Sequence, residues 1–294
     1  MKTARTPTLA IAYEESGPAD GRPVVLSHGF PDDIHAWDGT AAQLAADGWR
    51  VIVPYLRGYG PTRFLDAATV RSGEQAALGN DLLGLLDALA IPRAHLAGYD
   101  WGGRASCVVA ALWPERVAGL VTIGGYNIQN IAASLAPAAP EQEMRHWYQW
   151  YFHTERGREG LAANTTELCG LLWKLWSPNW GFSRETLERT AKSWQNPDFV
   201  AVVIHSYRHR HRATAGDPAL AAIEARLAAQ PSINVPTINL HGAADGVGPA
   251  SARDGTAGKF TARYERRIIP RAGHFLPWEA PEAVAQALAD LSGG

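Results

Sequence analysis

The chain has 294 residues, a formal charge of −2 at neutral pH, 46 % apolar and 19 % charged residues. That balance excludes disordered and fibrous classes, and the length allows one large α/β domain or a core with an inserted lid. The near-neutral charge offers no field for a polyanion, so nucleic acid is not an expected partner.

The first half alternates β-rich runs with helical patterns. Leu9–Tyr13 and Val24–Ser27 read as strands, Thr40–Ala46 as a short helix and Arg50–Val53 as a strand. Gly73–Leu89 carries apolar residues at helical spacing, Ala94–Tyr99 reads as a strand, Gly102–Leu112 as a helix and Val117–Ile123 as a strand. Such alternation predicts a mostly parallel sheet with helices on both faces. From Tyr126 to Gly216 the strand signal fades. An Ala/Pro stretch, Ala132–Pro140, reads as a hinge, followed by helical segments at Glu141–Phe152, Gly160–Leu175, Arg184–Trp194 and Asp198–His209. Six of the eleven tryptophans (Trp147, Trp150, Trp173, Trp176, Trp180 and Trp194) fall here, enough to fill a small helical core and line a pocket beneath it. The α/β pattern resumes with a helix over Pro218–Ala229, strands at Thr237–Leu240 and Arg263–Ile269, and a last helix over Pro281–Leu291. The expected organisation is a core from 1–125 and 217–294 interrupted by a helical lid, 126–216.

No uncharged apolar run reaches the roughly 20 residues of a membrane helix. Met1–Pro7 lacks the apolar stretch of a secretory leader. The two cysteines, Cys107 and Cys169, make neither a disulfide framework nor a metal-ligand spacing. A cytoplasmic protein with no membrane contact, no metal and no cofactor is expected.

Gly98-Tyr99-Asp100-Trp101-Gly102 lies between a predicted strand and a predicted helix. Small residues two positions either side of Asp100 permit a sharp turn that lifts its side chain off the sheet, where the helix N-terminus favours negative charge. Asp245 follows a later strand in His241-Gly242-Ala243-Ala244-Asp245, and His274 follows the next in Gly273-His274-Phe275. Singly, these are a helix N-cap aspartate, a turn aspartate and a loop histidine. Together, at three strand ends in the order nucleophile, acid, histidine, they form a candidate triad.

The pentapeptide and this order resemble the α/β-hydrolase nucleophile elbow and triad, with aspartate where most members carry serine. The resemblance implies that His28-Gly29-Phe30-Pro31 supplies half of an oxyanion hole, through the Phe30 backbone N–H beside that of Trp101. His28 is then structural. A carboxylate attacking a carbonyl would give a high-energy mixed anhydride, whereas attack at a saturated carbon leaves an ordinary ester. Asp100 thus points to epoxides or alkyl halides. His274 would activate the water that hydrolyses the ester, and Asp245 would orient His274.

An opening epoxide needs a proton, which a tyrosine of pKa about 10 supplies at neutral pH. The stretch Tyr148-Gln149-Trp150-Tyr151-Phe152 resembles the lid segment of α/β-hydrolase-fold epoxide hydrolases, and His205-Ser206-Tyr207-Arg208 their second lid segment. By that likeness Tyr148 and Tyr207 bind the epoxide oxygen, and Gln149, Trp150 and Tyr151 line the pocket. The sequence-based reading is a cofactor-independent epoxide hydrolase acting on a small molecule and yielding a vicinal diol. The alternative is a hydrolytic dehalogenase of haloacetates or haloalkanes using the same triad. A non-catalytic ligand-binding protein on this fold is a third reading, opposed by the complete triad. Asn127, at a strand end where some relatives carry the acid, cannot supply the charge, which leaves Asp245 in that role. Arg104 reads as a helix arginine paired with an acid, with a carboxylate-bearing substrate as the less favoured reading, and Arg208–Arg212 as a solvated helix end, with an anion site as the less favoured reading. The sequence leaves the oligomeric state open.

Overall fold

The structure is a computed structural model and describes residues 1–293. Its strands are β1 (Lys2–Arg5), β2 (Leu9–Ser16), β3 (Arg22–Ser27), β4 (Trp49–Pro54), β5 (Arg63–Phe64), β6 (Ala94–Tyr99), β7 (Val117–Ile123), β8 (Thr237–Gly242) and β9 (Tyr264–Ile269). They form one sheet in the order β1-β2-β4-β3-β6-β7-β8-β9, with β5 attached to β2. The pairings of β2 with β1, β4 and β5 are antiparallel, and the remaining pairings are parallel. This is the mostly parallel α/β sheet that the alternation predicts. β6 is buried at every position. Such an unbroken run belongs to a parallel strand covered on both faces.

The helices of the first part are α1 (Asp38–Ala46), α2 (Gln75–Ala88) and α3 (Asp100–Leu112). Between β7 and β8 the chain adds α4 (Pro140–Arg145), α5 (Trp147–His153), α6 (Glu155–Ala163), α7 (Thr165–Trp176), α8 (Arg184–Ala191), α9 (Phe199–Arg210) and α10 (Ala221–Ala228). The chain ends with α11 (Leu276–Glu279) and α12 (Pro281–Ser292). α2 packs beside α3, and α1 beside α12.

Three elements escape the sequence reading: β1, β5 and α11. β1 is a polar edge strand held by its ladder to β2 rather than by an apolar pattern of its own. The helix expected over Glu141–Phe152 is two helices. His146 breaks it, its N–H shared between Gln142 O at 3.0 Å and Glu143 O at 3.1 Å. The expected Gly160–Leu175 helix is likewise divided at Asn164, and the one expected over Pro218–Ala229 begins as a 3-10 turn at Pro218–Leu220. Among the described residues no helix is long and apolar enough to cross a membrane. Cys107 and Cys169 are both free and buried.

Candidate active site

The carboxyl ends of β3, β6, β8 and β9 bring four sequence segments to one place. Asp100 stands directly after β6, with φ at +48°. An L-residue in this left-handed region is strained, and the strain is tolerated where surrounding packing fixes the turn. The packing leaves no room for side chains at the flanking glycines. A Cβ on Gly98 would lie 2.4 Å from Gly102 O, and one on Gly102 would lie 2.0 Å from Ser27 O.

The two oxygens of Asp100 have different neighbours. Oδ1 accepts from Phe30 N–H at 2.8 Å. Oδ2 faces His274 Nε2 at 3.9 Å and Arg104 Nη2 at 4.0 Å. The Trp101 N–H makes no hydrogen bond to this carboxylate among the described residues. It lies in the first turn of α3, where N–H groups lack intrahelical acceptors.

His274 Nδ1 lies 3.0 Å from Asp245 Oδ2. Asp245 Oδ1 accepts from Val247 N–H at 2.7 Å and Gly248 N–H at 3.1 Å, which fixes the carboxylate plane. Burial pushes the Asp245 carboxyl up, but the charge and hydrogen bond of His274 outweigh it and hold the group below its usual range. Burial opposes the charged form of His274, yet Asp245 and Asp100 leave its imidazole raised overall. The Trp176 carbonyl joins the acid and histidine loops, accepting from Gly246 N–H at 2.9 Å and His274 N–H at 3.1 Å. His28 is buried, accepts from Leu56 N–H through Nε2 at 3.1 Å, and is held neutral by burial with a pKa of about 4. Asn127 Nδ2 braces the end of β7, donating to Thr122 Oγ1 at 2.9 Å and Ile123 O at 3.1 Å.

Above this floor lie Tyr148 from α5 and Tyr207 from α9, both fully buried, with ring centroids 5.4 Å apart. Tyr207 packs edge-on against Phe30 at 5.5 Å. Gln149 Nε2 donates to Tyr148 Oη at 3.0 Å, leaving the phenol hydrogen free to donate elsewhere. Tyr207 Oη is buried and finds no hydrogen-bond partner among the described residues. Burial pushes Tyr148 up to about 12 and Tyr207 well above its usual range, so both phenols are protonated at neutral pH.

Two expected pocket residues lie elsewhere. Trp150 is 39 % exposed, donates to Glu143 Oε2 at 2.9 Å and packs on His211. Tyr151 turns toward α6, where a Cβ on Gly160 would lie 1.9 Å from its Oη. Helical spacing places Tyr151 near the face of Tyr148, but the short α5 packs α6 against that side. The Arg208–Arg212 run is also not a uniform solvated end. Arg208 donates to Phe152 O and pairs with Glu155, while Arg210 meets the Gln129 amide and its charge acts on Tyr148 and Tyr207. Sequence reasoning holds Trp176 only among six lid tryptophans and Arg210 only within a basic run, and singles out neither for the site. Arg210 follows Tyr207 by three positions, a same-face spacing that could have shown it. The Trp176 ring lies 4.9 Å from Tyr148 and 5.3 Å from His274.

Among the described residues, one group has metal-like spacing: Glu74, His209 and Glu224, with ligand atoms within 4.8 Å. Its carboxylates already accept from Ser72 Oγ, Asp217 N–H, Ala76 N–H and the Gln75 amide. The group fastens α9 to α2 and α10.

Behind the elbow, Asp32 Oδ2 accepts from Tyr99 Oη at 2.7 Å and Trp278 Nε1 at 2.8 Å. Burial, with Asp33 beside it, pushes Asp32 up to about 7. The folded state therefore holds this proton more tightly than the unfolded chain. The stability so gained is present below the ordinary carboxylate range and is lost as pH rises through about 7. Asp32→Asn removes the titration. Any cost of placing its amide nitrogen near the Asp33 N–H is the same at both pH values, so the readout is the gap between variant and parent. Thermal melts should show that gap shifting in favour of the variant from pH 5 to pH 8. An unchanged gap would refute the assignment.

Comparison with known proteins places this geometry in a family. The alpha/beta hydrolase fold family matches residues 22–281. A crystal structure from Klebsiella pneumoniae subsp. pneumoniae, of a protein carrying the provisional designation epoxide hydrolase, is 45 % identical, with a TM-score of 0.97 over 100 % of this chain and 97 % of that one. An epoxide hydrolase of Caballeronia sordidicola is 36 % identical over 213 residues, 68 % of this chain and 63 % of that enzyme. The AB hydrolase superfamily protein YfhM of Bacillus subtilis is 28 % identical over 204 residues, 68 % of this chain and 69 % of that protein. The chain belongs to the alpha/beta hydrolase fold family.

Proposed function

We propose that the protein is an epoxide hydrolase acting through a covalent ester on Asp100. The observation that carries this reading is the division of labour around one carboxylate. Oδ1 is held by a backbone N–H at 2.8 Å, Oδ2 faces the His274 base, and two protonated, buried tyrosines stand above. The relatives named as epoxide hydrolases support it.

Oδ2 attacks a ring carbon of the epoxide. The C–O bond breaks as Tyr148 or Tyr207 donates its proton to the leaving oxygen. His274 then removes a proton from water, which attacks Cγ of Asp100. The charge that develops on Oδ1 falls on the Phe30 N–H, and the Trp101 N–H is the second proposed donor of this oxyanion hole. Asp245 stabilises the imidazolium that forms. Collapse breaks the Cγ–Oδ2 bond, frees the diol and returns the carboxylate, and the imidazolium proton restores the tyrosinate to the phenol. In this reading helices α4 to α9 act as a lid, 126–216 over a core of 1–125 and 217–294, and keep bulk water from the ester. Gln149 positions Tyr148. A cytoplasmic setting fits the two free, buried thiols, which a reducing compartment preserves.

A second reading, hydrolytic dehalogenation, has one observation in its favour. The indole N–H groups of Trp101 and Trp176 are buried and have no acceptor among the described residues, and such donors solvate a leaving halide. Incubating purified protein with aryl and alkyl epoxides beside haloacetates and haloalkanes separates the two. Diol without halide release is expected. Halide without diol would move the function to dehalogenation and reassign both tyrosines.

A further inference from the structure

The charges around Asp100 do not balance. Arg104, one turn into α3, has a side chain only 7 % exposed, and its nearest acid is Asp100 itself at 4.0 Å. Its guanidinium makes no hydrogen bond among the described residues. A buried guanidinium with five donors and no acceptor is costly unless something else satisfies it. The second cation is Arg210, three residues after Tyr207 at the end of α9. With the Gln129 amide oriented to satisfy both its ends, its oxygen accepts from Arg210 Nε at 2.6 Å. No carboxylate lies within ion-pair distance of Arg210 among the described residues. The two arginines repel each other, and both act on Tyr148 and Tyr207. The nucleophilic carboxylate is thus the one acid beside Arg104, and Arg210 has none among the described residues, while the His274–Asp245 pair compensates itself.

We infer that the substrate supplies the missing negative charge: it is a small epoxide bearing a carboxylate within one or two bonds of the reacting carbon. The spacing sets that reach. A reacting carbon lies roughly 3–3.5 Å from Oδ2 before attack. Arg104 Nη2 is 4.0 Å from the same oxygen. A carboxylate attached next to the epoxide ring therefore reaches Arg104 without a long spacer, and Arg210, at the end of α9, adds a second positive charge on the lid side. The two cations also offset the repulsion between this carboxylate and Asp100. The reaction adds water across the ring, so 2,3-epoxypropanoate would give 2,3-dihydroxypropanoate. The inference rests on the reading of Asp100 as the attacking group.

The test uses two isosteric pairs. Diol formation is measured with glycidate and its neutral counterpart glycidamide. Binding is measured by calorimetry with cyclopropanecarboxylate and cyclopropanecarboxamide, which have no epoxide to open. A charge-assisted pair predicts at least about 10-fold preference for the carboxylate in both measurements. Arg210→Met should bring both preferences close to unity, and Arg210→Lys should retain part of them, which guards against a folding artefact. Equal binding of carboxylate and carboxamide by the parent protein, or faster turnover of glycidamide, would overturn the inference and leave epoxide hydrolysis standing. Selective carboxylate binding with no diol from either epoxide would support the anion pocket and sink the epoxide reading instead.

Discussion

His274→Gln should convert the protein from a catalyst into a reagent that reacts once. Attack by Asp100 on the epoxide does not use the imidazole, whereas hydrolysis of the ester does. The variant should therefore lose diol turnover by at least about 10³-fold, at the upper end of what general-base removal costs. It should gain the mass of one epoxide per chain, located on Asp100 by peptide mapping. Asp100→Asn should show neither turnover nor adduct, apart from slow deamidation back to aspartate. The geometry motivates the split: Nδ1 is held by Asp245 at 3.0 Å, while Nε2 faces Oδ2 at 3.9 Å, a base aimed beside the carboxylate rather than bonded to it. The net raised state of His274 adds a pH signature. Deacylation in the parent enzyme should fail as pH falls through that raised value, because only the neutral imidazole accepts a proton. An inactive His274→Gln protein with no adduct after epoxide treatment would contradict the covalent route.

The double change Tyr148→Phe, Tyr207→Phe is the other large effect. Each variant keeps the ring and its packing, including the 5.4 Å edge contact between the two rings, and removes only the hydroxyl. Without a proton donor the epoxide oxygen must leave as an alkoxide, so ring opening should slow by about 10²–10⁴-fold. Single variants should lose less, since the remaining phenol still donates. Of the two, Tyr148→Phe should also strand the Gln149 amide that donates to its oxygen. Release of halide from a haloalkane, if the protein catalyses it, should largely survive the double change. Full epoxide turnover in the double variant would mean that both tyrosines only pack.

The sheet was legible because parallel strands covered on both faces must be apolar runs, as in β3, β6 and β7, and those runs are bounded by glycine turns. Asp100 and Asp245 were legible for a related reason: each follows such a run, where the topology must place a site, whereas His274 follows the charged edge strand β9 and was legible through its order after them. Side-chain direction in the lid was not. The distinction between Tyr148 and Tyr151, or between Arg208 and Arg210, depends on which helix lies alongside, and spacing along one helix does not encode that. Trp150 illustrates the point. It belongs to the family-like segment, yet packs on His211 at the surface because α5 is one short helix rather than the end of a longer one. The state of the buried Arg104 and the half-buried Arg210 was hidden for another reason. A guanidinium on a helix is usually solvated, and only the absence of an acid partner in three dimensions marks it out.

The interruption between β7 and β8 has a consequence for how the chain folds. These strands are neighbours in the sheet, with Ile123 opposite Leu240, yet all of α4 to α10 separates them in sequence. Closing a loop of that length costs about 4 kcal/mol in chain entropy beyond the fixed term, and contacts of such separation form slowly. β1 to β7 contain the Phe30 and Asp100 segments, while Asp245 and His274 come only with β8 and β9. Enzyme activity during refolding should therefore report the docking of the last two strands, after most helical signal has returned. The early piece carries a nucleophile without its base, and the machinery becomes complete when the two ends of the chain meet across the insertion.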